Sequence, residues 1–238
     1  MPSPPTPRRG RPPQSAAAIE ATRARILDAT RVVFSEVGYH GLSVELVIAE
    51  AGLSRPTFYK YFRSTEEPIE LVIGGVNDAL IERLLREGDF SRDPVAVIDA
   101  CLAAWRDWGE ELGPMLRPLF SELHDVHSPA SRHRLRTLGI LANRIGDVVE
   151  ALGRPRPPRL LVDALLNGVE FLGYRYHLDS PRDAASWKGA RDAMLRLGLG
   201  LLGTNVEWSN ALAIASALSL DLAGHHTPTP RRRAKQAT

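Results

Sequence analysis

The stretch Ala51-Gly52-Leu53-Ser54-Arg55-Pro56-Thr57-Phe58-Tyr59-Lys60-Tyr61-Phe62 decides how this chain is read. Glycine at 52 supplies the left-handed conformation that ends one helix and allows a sharp reversal. Leu53 is an apolar plug for the joint. Ser54 is a helix N-cap, and Pro56 falls in the first turn, where a missing N–H costs little. The spacing predicts a helix over 55–62, with Phe58 and Phe62 four apart on a core-facing side. The opposite side carries Arg55, Thr57, Tyr59, Lys60 and Tyr61. A guanidinium, a hydroxyl, phenols and an ammonium on so short a helix suit phosphate contacts and base-edge readout. The alternative for the same residues is a solvated helix surface.

Upstream, Ile26, Leu27, Ala29, Val33, Phe34 and Val37 recur on one helical face over 22–37, and Gly38 and Gly41 bracket a turn. Ser43 caps a helix of about eight residues that ends at Ala51. Downstream, Ser64 and Glu67 have the spacing of a capping box that opens a longer helix to about Glu87, with Pro68 in its first turn. Three short helices followed by a longer one is the order of a helix-turn-helix: a supporting helix, one crossing the DNA backbone and one entering the major groove.

Here the sequence resembles the tetracycline-repressor (TetR) family over about Ala24 to Leu71, centred on Ala51–Phe62. The family string A-G-[VL]-S-x-x-[TL]-[LF]-Y-x-[HY]-F is matched at nearly every position. The resemblance implies that Arg55, Pro56 and Tyr59 stand where bases are touched, and that Thr57, Lys60 and Tyr61 stand where phosphates are held. Ser43, Val44 and Glu45 match the start of the second helix, which lies against the DNA backbone and in some members reaches a base. Ser54 opens the recognition helix. Two positions depart from the pattern. Thr65 replaces a lysine that clamps a phosphate, and Ile48 replaces a small alanine in the second helix.

The rest of the chain reads as helices at about 94–112, 114–125, 129–152, 158–179, 182–202 and 205–222. Breaks fall at Gly113-Pro114, Ser128-Pro129, Gly153 to Pro158, Ser180-Pro181 and Gly203-Thr204. No stretch alternates long enough to argue for a strand. The expected fold is all-α: a disordered basic arm over 1–18, a helix-turn-helix domain over 19–64, a helical effector-binding and dimerisation domain over 65–223 and a disordered basic tail over 224–238.

Charge follows this division. The 238-residue chain carries a net +2. Residues 1–63 hold nine basic and five acidic side chains, and 224–238 hold four basic and none acidic, which leaves −6 for 64–223. Basic ends on an acidic body suit a polyanionic partner at the ends. Arg9-Gly10-Arg11-Pro12 has the form of an AT-hook core, whose arginines suit a narrow A·T-rich minor groove. The tail Arg231-Arg232-Arg233-Ala234-Lys235 could add nonspecific DNA affinity or remain solvated.

One cysteine, Cys101, excludes an internal disulfide and fits a reducing cytoplasm. No apolar run reaches the ~20 residues of a membrane span. No Gly-rich phosphate loop, G-x-S-x-G or H-E-x-x-H appears, so no enzyme is expected. His124 and His127 sit three apart, a spacing that can offer two imidazoles to a metal with Asp125, His133 and His177 as candidate neighbours; two histidines alone are read as surface residues, and neither metal nor cofactor is called for.

The resemblance further implies a homodimer, a small-molecule effector and a palindromic operator. Leu160–Tyr176 and Ala193–Leu202 are apolar enough for an intersubunit bundle, and Gly198, Gly200 and Gly203 would admit a close partner backbone. Effector-pocket candidates are Trp105, Trp108, Phe120, Asn167, Glu170, Phe171 and Tyr174, which serve equally well as core or dimer residues. Two functions stand: an effector-released repressor, and a ligand-independent A·T-preferring DNA organiser.

Overall fold

The structure, a computed structural model, describes residues 15–88, 94–179 and 181–203. Arg9, Arg11, the helix expected at 205–222 and the basic tail lie outside the described residues. Every regular element described is helical: α1 (Ala16–Gly41), α2 (Val44–Ala51), α3 (Arg55–Phe58), α4 (Glu66–Glu87), α5 (Pro94–Leu112), a 3-10 turn (Gly113–Met115), α6 (Leu116–Ser121), α7 (Pro129–Ala151), α8 (Arg159–Leu178) and α9 (Ala184–Leu202).

The start of α1 differs from expectation. It begins inside the span read as an arm, because Ser15 accepts a hydrogen bond from the Ala18 N–H and caps the first turn. At its far end Gly38 breaks the helix at φ 69°, ψ −175°, a conformation essentially restricted to glycine. The expected capping box at Ser64 and Glu67 is also replaced. Glu67 accepts from the Arg63 N–H at 2.9 Å, one residue earlier than the box requires, and α4 starts at Glu66. Glu66 and Glu67 still place two carboxylates at the positive end of the helix.

The chain forms two compact units. Among the described residues, the first runs up to Arg86 and includes Ala104–Leu141. In it α1 packs against α2, the 3-10 turn and α6. Trp108 donates its indole N–H to the Val76 carbonyl at 2.8 Å, and Arg83 grips Glu111 through two hydrogen bonds of 2.8 and 2.6 Å. Between α4 and α7, Glu70 takes both Arg132 and His133, while buried Thr137 donates to Asn77 at 3.2 Å. The Trp108 and Thr137 bonds satisfy polar groups that burial would otherwise leave costly, whereas the Arg83–Glu111 and Arg132–Glu70 pairs are exposed.

Among the described residues, the second unit holds those within Glu87–Ala103 and from Ala142 to Gly203. Its centre is the pair α8 and α9. A Cβ at Gly168 would lie 2.2 Å from the Leu197 side chain, so glycine there sets how closely the pair can meet. Tyr176 meets Trp187 edge-on at 5.2 Å, and Arg191 bonds Asp99. Gly203 caps α9, donating to the Leu199 carbonyl at 2.8 Å. A Cβ there would strike that same carbonyl, so the end of its own helix already requires glycine at this position.

Candidate nucleic-acid interface

The interface is built on one small core. Ile26 and Ala29 of α1, Val47 and Ala51 of α2, and Phe58 and Phe62 are buried together, with Leu27, Leu42, Val44, Ile48, Leu53 and Tyr61 packed around them. Phe58 is fully buried and Phe62 nearly so, and their rings lie 6.0 Å apart. Burying an aromatic side chain contributes roughly 1.5–3 kcal/mol, enough to fix the orientation of a short helix.

The joint between α2 and α3 has the expected chemistry. Gly52 is left-handed at φ 58°, ψ 42°. Its N–H reaches the Ala49 carbonyl and the Leu53 N–H reaches Ile48 O at 2.9 Å, a pairing that satisfies the last carbonyls of α2. Ser54 caps α3, accepting from the Thr57 N–H at 3.4 Å and sharing a 2.8 Å hydroxyl contact with Thr57.

Sequence reasoning missed one member of this joint. Arg25, on α1, donates from Nε to Ala51 O at 2.5 Å and from Nη2 to Gly52 O at 2.8 Å. A cation at a helix C-terminus is favourable in both charge and hydrogen bonding. The only sequence signal was an arginine on a supporting helix, 26 residues from its acceptor.

α3 is shorter than the eight residues predicted. After Phe58 the backbone tightens into turns, with Lys60 N–H to Thr57 O and Tyr61 N–H to Phe58 O. The tightening leaves Tyr59 and Lys60 exposed and turns Tyr61 inward, half-buried against the core, unlike the outward face assigned to it. Arg55, Pro56, Tyr59 and Lys60 stand exposed, and Thr57 is half-buried. On α2, Ser43 is the N-cap, accepting from the Leu46 N–H at 3.3 Å; Val44 is half-buried and Glu45 is exposed. Thr65, where the family's lysine would stand, is half-buried, and its carbonyl accepts from Ile69.

A second unforeseen feature joins the two helices. Arg55 Nη1 lies 2.5 Å from Glu45 Oε1, its Nη2 stands 3.5 Å from the Tyr59 hydroxyl, and its guanidinium carbon is 5.7 Å from the Tyr59 ring centre. The Tyr59 hydroxyl, with the Glu45 charge behind it, raises the already high pKa of Arg55, so the guanidinium is a permanent cation.

The pocket candidates divide between the units. In the first, Trp105, Trp108 and Phe120 are half-buried. In the second, Glu170 and Tyr174 are half-buried, whereas Asn167 and Phe171 lie on the exposed face of α8. Asn167 there donates to the Asp163 carbonyl at 2.7 Å. His124 and His127 are exposed, and Asp125 is occupied by His40. Among the described residues no cluster of three metal-ligating side chains occurs, and no helix is long and apolar enough to cross a membrane.

A buried three-helix core, a left-handed glycine joint and an exposed cationic and aromatic face define a helix-turn-helix protein. Residues 26–69 match the family described as bacterial regulatory proteins, tetR family. The curated relative UidR of Escherichia coli K12, an HTH-type transcriptional regulator, is 39% identical over 54 residues. That segment is 23% of this chain and 28% of UidR, so the chain spans under a third of its relative's length. The fold extends further. A TetR-family regulator from Syntrophomonas wolfei superposes with a TM-score of 0.63 at 16% identity, over 79% of this chain and 100% of that one. GusR of Salmonella enterica gives 0.59 at 19% identity, over 77% and 96%.

Proposed function

We propose that the chain is a cytoplasmic transcriptional repressor that binds a palindromic operator as a homodimer and is released by a small-molecule effector. The observation that carries the DNA-binding part is the exposed set Arg55, Pro56, Tyr59 and Lys60, held on α3 by a fully buried Phe58. Ser43 and Glu45 at the start of α2, with Ser54 and Thr57 around the cap of α3, lie beside it in the chain's order of elements. UidR's name as a transcriptional regulator supports the same reading.

A dimer has its own support. One short recognition helix reads too few base pairs, and two related by symmetry read successive major grooves about 34–36 Å apart. The exposed apolar side chains of α8, Leu160, Leu161 and Phe171, offer a surface for a second copy. Repression and effector release rest on the likeness to TetR-family regulators, and the candidates to meet the effector are the half-buried Trp105, Trp108 and Phe120 within the first unit or, as a separate set, Glu170 and Tyr174 within the second. The arm's Arg9 and Arg11 and the basic tail would add minor-groove and nonspecific affinity.

The test is the ratio of affinities at fixed salt, with the full chain on DNA upstream of its own gene and its neighbours, against unrelated duplex. A regulator should prefer one protected palindrome by about a thousandfold or more. A ratio near one would instead support broad DNA organisation.

A further inference from the structure

We propose that Glu45 positions the Arg55 guanidinium to read a guanine in the major groove, making this pair the determinant of one G·C position in each half-site. The proposal rests on α3 being the recognition helix. Its own observation is the contact between α2 and α3: Glu45 Oε1 holds Arg55 Nη1 at 2.5 Å, and both side chains are about three-fifths exposed. An ion pair so exposed contributes little to stability. It does restrict a side chain with several rotatable bonds.

Three contacts converge on the one guanidinium. Glu45 occupies Nη1, the Tyr59 hydroxyl stands 3.5 Å from Nη2, and the Tyr59 ring lies beneath the guanidinium carbon at 5.7 Å. Tyr59 is itself edge-on to the buried Phe58, with ring centres 5.6 Å apart. The orientation of Arg55 is therefore tied to the core through Tyr59 and to α2 through Glu45. Its remaining N–H groups are free to make the bidentate contact to guanine O6 and N7 that is the commonest specific arginine–base pairing. A carboxylate at this place also repels phosphate, which favours a base over the backbone as the target of Arg55. Glu45 is thus a positioning residue that acts through Arg55.

The experiment is selection from a randomised duplex library with the full chain, comparing the parent with Arg55→Ala, Glu45→Ala and Glu45→Asp. Affinities for the selected duplex and its single-base variants are then measured across salt concentrations. The parent should enrich a palindrome with a guanine in each half-site, and Arg55→Ala should lower preference for it by about ten- to a hundredfold. Glu45→Ala should lose most of that preference while keeping the rest of the motif and the same thermal midpoint, and Glu45→Asp should restore part of it. Full guanine preference in Glu45→Ala overturns the proposal. So does loss of a cytosine preference at a neighbouring pair with the guanine retained, since the carboxylate would then read a base itself. Tighter binding with unchanged base preference would likewise reduce Glu45 to a repulsive charge. A parent that enriches no motif overturns the DNA-reading role itself, a failure distinct from that of the pair.

Discussion

At the scale of single residues, the reading head depends on a few groups whose replacement has separable effects. Gly52 sits at φ 58°, and a Cβ there would also stand 3.1 Å from Arg25 Nη2. Left-handed backbone costs a non-glycine residue about 1–2 kcal/mol, so Gly52→Ala should lower unfolding free energy by that amount in denaturant titration. Tyr59 is different, because it is 46% exposed and lies outside the core. Tyr59→Ala should abolish operator preference in a gel-shift assay and leave the thermal midpoint and oligomeric state unchanged. Unaltered operator affinity would show that α3 is not the reading element. The contrast between Gly52 and Tyr59 was legible in the sequence, since turn chemistry and a four-residue aromatic spacing are local signals. The Arg25 clamp and the Glu45–Arg55 pair were not. Each joins different elements, and an isolated charged residue on a helix surface carries no mark of which partner it will meet. Tyr61 illustrates the complementary failure: a regular helix would point it outward, and only the turn that follows Phe58 brings it in.

At the scale of elements, the end of α1 has a fastening of its own. After the break at Gly38, the Tyr39 N–H donates to Glu122 Oε1 at 2.7 Å, and Ser128 donates to the other oxygen of the same buried carboxylate at 2.7 Å. His40 bonds Asp125 at 2.5 Å. The segment after α6 thereby holds the chain where it leaves α1 for α2. A Cβ at Gly38 would come within 2.8 Å of Glu122 Oε1, in a backbone conformation that costs about 1–3 kcal/mol without glycine. Gly38→Ala should therefore destabilise the protein by at least that range in chemical denaturation. Glu122→Ala should destabilise it too, because it strands a backbone N–H and a buried hydroxyl. A Gly38→Ala protein as stable as the parent would mean that the kink is not required. Helix existence was readable here from periodicity and the Gly38 break, whereas the fastening was not, because Glu122 looks like an ordinary helix-end acid. The capping box at Ser64 failed for a related reason: Glu67 found the Arg63 N–H instead, and a one-residue shift lies below the resolution of spacing rules.

At the scale of the whole molecule, acid sensitivity follows from carboxylates distributed over both units. Hydrogen bonds hold Glu66 (from Ser64), Glu111 (from Arg83), Asp125 (from His127 and His40) and Asp183 (from Ser186) below their ordinary values. A carboxyl whose pKa is lowered by folding contributes stability that is complete above its unfolded value and is lost as pH falls through the folded one. Those ordinary values are 4.5 for Glu and 3.8 for Asp, so the thermal midpoint should begin to fall below about pH 5 and continue downward. A flat midpoint between pH 5 and 3 would contradict these contacts.

Assembly belongs to the same scale, and α8 is where it can be tested. Scattered exposed apolar residues are normal on a protein surface. On α8, however, Leu160, Ala164, Asn167, Phe171 and Arg175 are all exposed at spacings of three and four, which makes one continuous stripe. Leu160 is 81% and Phe171 53% exposed, while Val162, Leu166, Val169 and Tyr176 of the same helix are buried within their own unit. A helix apolar on its inner side and again along part of its outer side is what a surface shared with a second copy requires. Phe171, placed by sequence reasoning among the effector-pocket candidates, thus fits an interface better than a pocket. A charge there would be buried unpaired against its symmetry mate, so Phe171→Asp should convert a dimer to monomer in sedimentation equilibrium. Its specific DNA affinity should fall with it, since each half-site would then be bound alone. Val126→Asp, at a position 76% exposed between α6 and α7, is the matched control and should remain dimeric. A dimeric Phe171→Asp protein would move the interface off this stripe, and a parent chain monomeric at micromolar concentration would remove the symmetric reading of an operator altogether.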